Sequence, residues 1–265
     1  MSISELIVLP SNASAGVFPN NKNHTYITKL PKRLRLQAGR WKVALRDYTY
    51  PFNWKNITSS NNTFTLLFHK KDEGEPPSKE SIDIAEGRYR SPSQLCKEIN
   101  KQIRVSGHHS KIRLDYDDEA RMISVWWSNA HDISIQFGSD LAALLGCKAE
   151  HAYRKRRPVN ECSSCQFEKS PDMNAGYHRL YIYCSLCADR ITGDTFAPLL
   201  LDIGVPDAET TVGIQVDKTL SLPHYVPVQN IDTDEIEINI RSGEGKPIPF
   251  RGGLVSLTVE LQREP

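Results

Sequence analysis

Two CxxC pairs are the residues of this sequence best placed to do chemistry. Cys162 and Cys165 lie in NECSSCQF and Cys184 and Cys187 in LYIYCSLCADR, with eighteen residues between the pairs. C-x2-C-x18-C-x2-C falls inside the spacing window of zinc ribbons, in which four thiolates close a tetrahedral site around one ion. Such a ribbon needs each pair on a turn, so that both sulfurs converge. The residues around the second pair oppose this. In HRLYIYCSLC, Leu180, Ile182, Cys184 and Leu186 fall on one face of an extended strand, and Tyr181, Tyr183, Ser185 and Cys187 on the other. Residues three apart on an unbent strand cannot share a metal. The four cysteines are thus zinc candidates contradicted by their own strand pattern, and Cys184 reads as a small core residue. No cofactor is needed for folding, because 265 residues can bury a sizeable core.

Other candidate chemistry is weaker. RKRR (154–157) has the look of a nuclear-import or nucleic-acid patch, but no interleaved aromatics or basic stripe accompany it, which favours a solvated loop, or pairing with a neighbouring chain's acidic loops, over nucleic-acid binding. The acidic run Asp115, Asp117, Asp118 and Glu119 lacks the calcium-loop pattern and sits where a hairpin must turn. His108 and His109 follow Gly107 without a carboxylate at a fixed spacing. Tyr116, Trp126 and Trp127 are the candidates for a sugar-binding aromatic platform, although Val125–Trp127 also reads as core alternating with surface. No G-x-S-x-G, HExxH, Walker loop or G-x-G-x-x-G occurs, so no catalytic residue is assigned.

Composition narrows the classes further. The net charge of +1 argues against a dedicated nucleic-acid binder, which carries a marked basic excess. The first residues, MSISELIVLPSNAS, lack the basic n-region and long apolar run of a signal peptide. No eighteen-residue apolar run is present to span a membrane. The sequons at Asn12, Asn23, Asn56 and Asn61 therefore carry no weight as glycan sites. Six cysteines in this setting favour thiols or metal over disulfides, which points to an intracellular protein.

The elements that must position these residues are mostly strands. WKVALRDYTYP (41–51) alternates Val43, Leu45, Asp47 and Thr49 against Ala44, Arg46, Tyr48 and Tyr50 and closes at Pro51. NTFTLLFHK (62–70) is a second strand, followed by the exposed loop KKDEGEPPSKES. RSPSQLCKEINKQIR (90–104) starts a helix, with Ser91 as N-cap, Pro92 at its first position and Gln94 three residues after the cap. Leu95, Ile99 and Ile103 form its apolar stripe. A hairpin over 111–127, a strand over 132–137, and a short helix over 139–147 capped by Ser139 and stopped by Gly146 follow. The stretch 148–178 reads as one long basic loop. Strands return at 178–186, 195–203, 211–217, 234–241 and 253–262.

Strands from both ends of the chain therefore flank a mixed block. The fold class is mainly β: a single β-sandwich with an inserted α/β domain. Residues 1–70 and 171–265 form the discontinuous sandwich, and 71–170 form the insertion with its loop over 148–178. The Pro/Asn-rich opening, with Phe18, Tyr26 and Trp41 among polar residues, reads either as an arm across a sheet or neighbour, or as an ordinary first strand with a ragged lead-in.

Several segments carry a family resemblance. LPSNAS, VFPNN and GRWKVALRDYTYPFNW near the start, EGRYRSPSQLCKEIN and LLGC in the middle, and HRLYIYCSLCADRITGDTFAPLL and DEIEINIRSGEGKPIPFRGGLVSLTVELQ further on resemble the penton (minor capsid) proteins of Polinton/Maverick elements and adintoviruses. The resemblance implies a single jelly roll with an insertion between strands, as in adenovirus-type penton bases. It implies a homopentamer at each vertex of an icosahedral capsid, held among double-jelly-roll major capsid proteins. Such a protein is structural and non-enzymatic, belongs to the virion capsid after assembly in the host nucleus, and contacts neither membrane nor nucleic acid directly. Subunit contacts would fall on the N-terminal arm and the 148–178 loop. The CSSC loop and Cys187 depart from the family pattern, and no RGD loop is present. Two other classes stay open at this level: a zinc-dependent nucleic-acid module on the four cysteines, and a carbohydrate-binding β-sandwich.

Overall fold

A computed structural model of the chain describes residues 3–69, 76–128, 132–154, 163–207, 215–229 and 231–264. It divides into two compact units: Met1–Trp54 with Tyr177–Pro206 and Thr211–Pro265, and Lys55–Gly176 with Asp207–Thr210. The first unit opens with strands β1 (Ile3–Pro10), β2 (Thr25–Leu36) and β3 (Trp41–Pro51). The second holds β4 (Thr63–Phe68), β5 (Ser78–Asp83), helix α1 (Pro92–Val105), β6 (Ile112–Asp117), β7 (Met122–Trp127), β8 (Ile133–Phe137), helix α2 (Ser139–Leu145), β9 (Tyr153–Arg154) and β10 (Ser163–Gln166). The chain then returns to the first unit through β11 (Arg179–Cys184), β12 (Arg190–Thr192), β13 (Thr195–Ala197) and β14 (Leu199–Gly204). It finishes with β15 (Gln215–Thr219), β16 (Val226–Pro227), β17 (Ile231–Ser242) and β18 (Ser256–Arg263).

Two antiparallel sheets build the first unit, in the orders β1-β18-β3-β15 and β2-β17-β11-β14. Counted one to eight along the chain, these strands run 1-8-3-6 and 2-7-4-5. First pairs with last and second with seventh, which is the winding of a jelly roll. The inserted elements lie between the third and fourth of the eight. The mainly-β jelly-roll sandwich with an inserted α/β part is therefore the observed fold class.

Alternation sets its core. In β17, Ile236, Ile238 and Ile240 point inward between Glu237 and Asn239, and each buried isoleucine contributes about 1.5–3 kcal/mol. Leu257, Val259 and Leu261 do the same in β18. In β3 the expected straight alternation breaks. Thr258 pairs with Asp47 and Val259 with Leu45, so Arg46 is an extra residue in a β-bulge. Inward positions consequently switch from Val43 and Leu45 to Tyr48 and Tyr50.

Other expectations change for local reasons. In the opening, Ile3–Pro10 is a strand, β1, paired along its length with β18, and the chain then runs through turns to β2, where buried Tyr26 donates its hydroxyl to Leu9 O at 2.9 Å. The stretch 195–203 is two strands split at Pro198, with β13 turning back on β12 and β14 pairing with β11. Of 211–217, only the part from Gln215 lies within the described residues, as β15.

In the second unit α1 starts at the expected place. Gln94 N–H donates to the Ser91 hydroxyl at 3.2 Å, and the Gln94 side chain accepts from Arg90 N–H at 2.8 Å. Leu95, Ile99 and Ile103 are buried, and Asn100 exchanges two hydrogen bonds with the Leu114 backbone of β6. The N-cap of α2 is Gly138; Ser139 is already inside the first turn and makes no cap bond. Gly146 ends this helix in the left-handed region at φ 78°, and a Cβ there would stand 2.1 Å from Lys169 O. The described parts of 148–178 hold two short strands, β9 and β10. Tyr153 and Phe167 are buried with rings 4.9 Å apart, and they anchor β9 against β8 and β10 against β7.

Candidate functional site

The second cysteine pair is on a bend. β11 ends at Cys184, the chain turns through Ser185 and Leu186, and Cys187 N–H donates to Cys184 O at 3.0 Å. Ser185 holds the turn: its hydroxyl accepts from Glu237 N–H at 3.0 Å, and its carbonyl accepts from the Gln229 side chain. Cys187 is thereby carried inward instead of to the outer face expected of a straight strand. Both cysteines are 1% exposed, and their thiols share a hydrogen bond. That bond, together with burial, pushes the Cys187 thiol's pKa well up, so Cys187 is held protonated. Cys184 faces Ile238 across the sheet as a core residue.

Cys165 lies on β10 in the second unit, where its thiol donates to Gln166 O at 3.6 Å, and Cys162 is outside the described residues. Among the described residues, no three His, Cys, Asp or Glu side chains are grouped to hold a metal. Cys96 and Cys147 are packing residues, each with its pKa pushed up to about 12 by burial first.

The remaining candidates resolve into structure. His108 does have a carboxylate partner, Glu80 of β5, at 2.8 Å, with Lys111 at 3.1 Å on its other ring nitrogen. That partner is twenty-eight residues away, beyond any local spacing rule. Asp117 accepts from the N–H groups of Glu119 and Ala120 at 2.9 and 3.0 Å, so the acidic run is the turn of the β6–β7 hairpin. The sugar platform does not form: Trp127 is buried, and half-buried Trp126 lies under the Arg113 guanidinium, 4.6 Å from its ring centre. Of RKRR, Lys155, Arg156 and Arg157 lie outside the described residues.

What the first unit does present is two unlike flanks. On one, edge strands β1 and β2 of the two sheets line a groove of about 760 Å³. Leu6 and Val8, two apart on β1, stand 61% and 59% exposed there. Across from them β2 contributes Leu34 between Arg33 and Arg35, with Lys32 beside them. The other flank is reached through the β12–β13 hairpin, which feeds β14, the edge opposite β2. This ribbon pairs with neither main sheet. Its directly opposed pair Ile191 and Phe196 is 74% and 70% exposed.

The first unit is thus an eight-stranded jelly roll with one insertion in its chain order, and no metal-holding cluster is present among the described residues. Solved structures with this fold include the mavirus penton protein, at a TM-score of 0.58 and 9% identity over all of both chains. A chain of the Sputnik virophage seen by cryo-EM aligns at 0.52 and 11%, covering 99% of this chain and 98% of that one. No protein-family model and no curated protein matches the sequence.

Proposed function

We propose that this chain is a structural minor capsid protein, a penton, forming homopentamers at the vertices of an icosahedral virion. The observation that carries the reading is the end-to-end structural correspondence with the mavirus penton protein, over all of both chains. A closed five-fold ring needs heterologous contacts, one flank of each copy meeting the opposite flank of the next. The two unlike flanks of the jelly roll suit that demand, and covering an edge strand with a neighbour removes its aggregation hazard. In this reading the jelly roll builds the ring, a double-jelly-roll major capsid protein surrounds it, and assembly takes place in the host nucleus. The chain catalyses nothing.

Size-exclusion chromatography with light scattering tests the reading. A species of five chain masses is expected at high concentration or in the presence of the major capsid protein, and electron microscopy of co-assembled particles places it at the vertices. A chain that stays monomeric under both conditions overturns it.

A further inference from the structure

The hairpin β12–β13 has the wrong surface for a free ribbon. Isolated two-stranded hairpins are marginal in water, and one aromatic–β-branched cross-strand pair adds only about 0.2–1 kcal/mol. Here Ile191 and Phe196 face each other in register, both mostly exposed, at a ribbon outside the main sheets. Asp189 and Asp194 flank them, exposed and without an ion pair among the described residues. The opposite flank carries the complement. Leu6 and Val8 form an exposed apolar strip on an edge strand, and the groove wall beside them adds Lys32 and Arg35. Lys32 has no ion pair among the described residues. Among the described residues Arg35 reaches only Asp232, at 3.7 Å, a carboxylate that Arg33 already holds at 2.7 Å. Charge signs match in reverse as well: Arg190 on the hairpin and Glu5 in the groove are both unpaired among the described residues.

We infer that the β12–β13 hairpin of one copy docks in the β1–β2 groove of a second copy of this chain. Ile191 and Phe196 cover Leu6 and Val8, while Asp189 and Asp194 meet Lys32 and Arg35. The edge of β1, with no strand beyond it in the sheet, offers main-chain groups for the ribbon to pair with, as in strand addition. Hairpin and groove lie on opposite flanks of the sandwich, because β14 and β2 end the same sheet at opposite sides. The contact is therefore head-to-tail, and it closes a ring or continues; it does not give a two-fold dimer. The inference rests on the assembly reading above and names the surfaces that reading needs.

Analytical ultracentrifugation of the full chain and its variants tests it, with circular dichroism and the melting temperature as folding controls. Phe196→Asp removes the hairpin anchor and Val8→Asp the groove strip; each is expected to weaken self-association about tenfold or more. Mixed one to one, the two variants retain one good hairpin and one good groove per pair, so they form heterodimers that grow no further. Asp194→Lys and Lys32→Asp each weaken association, and combined in one chain they restore it. A folded Phe196→Asp that assembles like the natural chain overturns the docking while leaving the capsid reading standing, as does a charge reversal that fails to recover. A natural chain that never associates overturns both.

Discussion

The two units bury similar kinds of side chain and close their interiors by different means. The first is joined by strands far apart in sequence: β1 with β18, β2 with β17. The second is built largely from neighbours in sequence, the β6–β7 hairpin and the β4–β5 pair, with α1 against β6. It is also held by polar side chains that bond to backbone. Asn56, 2% exposed, donates to Tyr89 O at 2.8 Å and Met173 O at 2.9 Å and accepts from Tyr89 N–H at 2.9 Å. Long-range pairing delays folding, because loop closure comes before its reward; a single polar hub concentrates risk instead. The first unit closes through long-range ladders, and the second adds to its own ladders a buried asparagine that joins three backbone groups.

The largest expected effect tests that concentration. Asn56→Ala strands two buried carbonyls and one N–H, and should destabilise the second unit by about 4 kcal/mol. Urea unfolding checks it, with Trp126 and Trp127 reporting on the second unit and Trp41 and Trp54 on the first. Equal losses at all four tryptophans would erase the contrast between the units. Leu45→Ala, at a position 1% exposed beside the β3 bulge, should cost the first unit about 3 kcal/mol by leaving a cavity, read in the same titration. Ser91→Ala removes the cap of α1 and should cost about 1 kcal/mol, seen as a lower urea midpoint at unchanged slope.

The smallest effect depends on pH. Glu260 of β18 accepts from the Ser4 hydroxyl at 2.7 Å, and this bond, then Tyr225 and Arg46, holds its pKa below the ordinary 4.5. The folded pKa lies below the unfolded one, so the stabilisation is present above 4.5 and is lost as pH falls through the folded value. Because the group is near the surface, the amount is about 0.5 kcal/mol. Comparing the natural chain with Glu260→Gln at pH 7 and pH 3 should show the advantage at the higher pH only.

Much of the second unit was legible because its signals are local. Ser91, Pro92 and Gln94 mark a helix start within four residues, and Gly146 marks a helix end by a backbone angle that few other residues adopt. Strand existence in the first unit was legible from alternation, as in Ile236, Ile238 and Ile240. Its departures were not. The Arg46 bulge is set by the partner strand two hundred residues away, and nothing in WKVALRDYTYP marks it. The same holds for the turn at Ser185 and Leu186, which Gln229 and Glu237 impose on a segment that looks like continuous strand. The groove was unreadable for a related reason: Leu6, Val8 and Lys32 become neighbours only once each sheet has found its edge. The exposed hairpin did carry a signal, since Gly193–Asp194 between two short β-prone runs is turn chemistry, yet exposure of Ile191 and Phe196 cannot be read from apolar letters alone.

The pairing of β1 with β18 has a consequence for timing on the ribosome. Residues 3–10 leave the ribosome about 250 residues before their partner, on the order of 10 to 50 s at ordinary translation speeds. Until then β1 has no sheet to edge, and the groove that it forms with β2 does not exist. A nascent chain halted before β18 therefore holds the β12–β13 segment without the β1–β2 groove. Under the docking proposed above, synthesis of β18 is the gate, because the groove is complete only once that strand has been made.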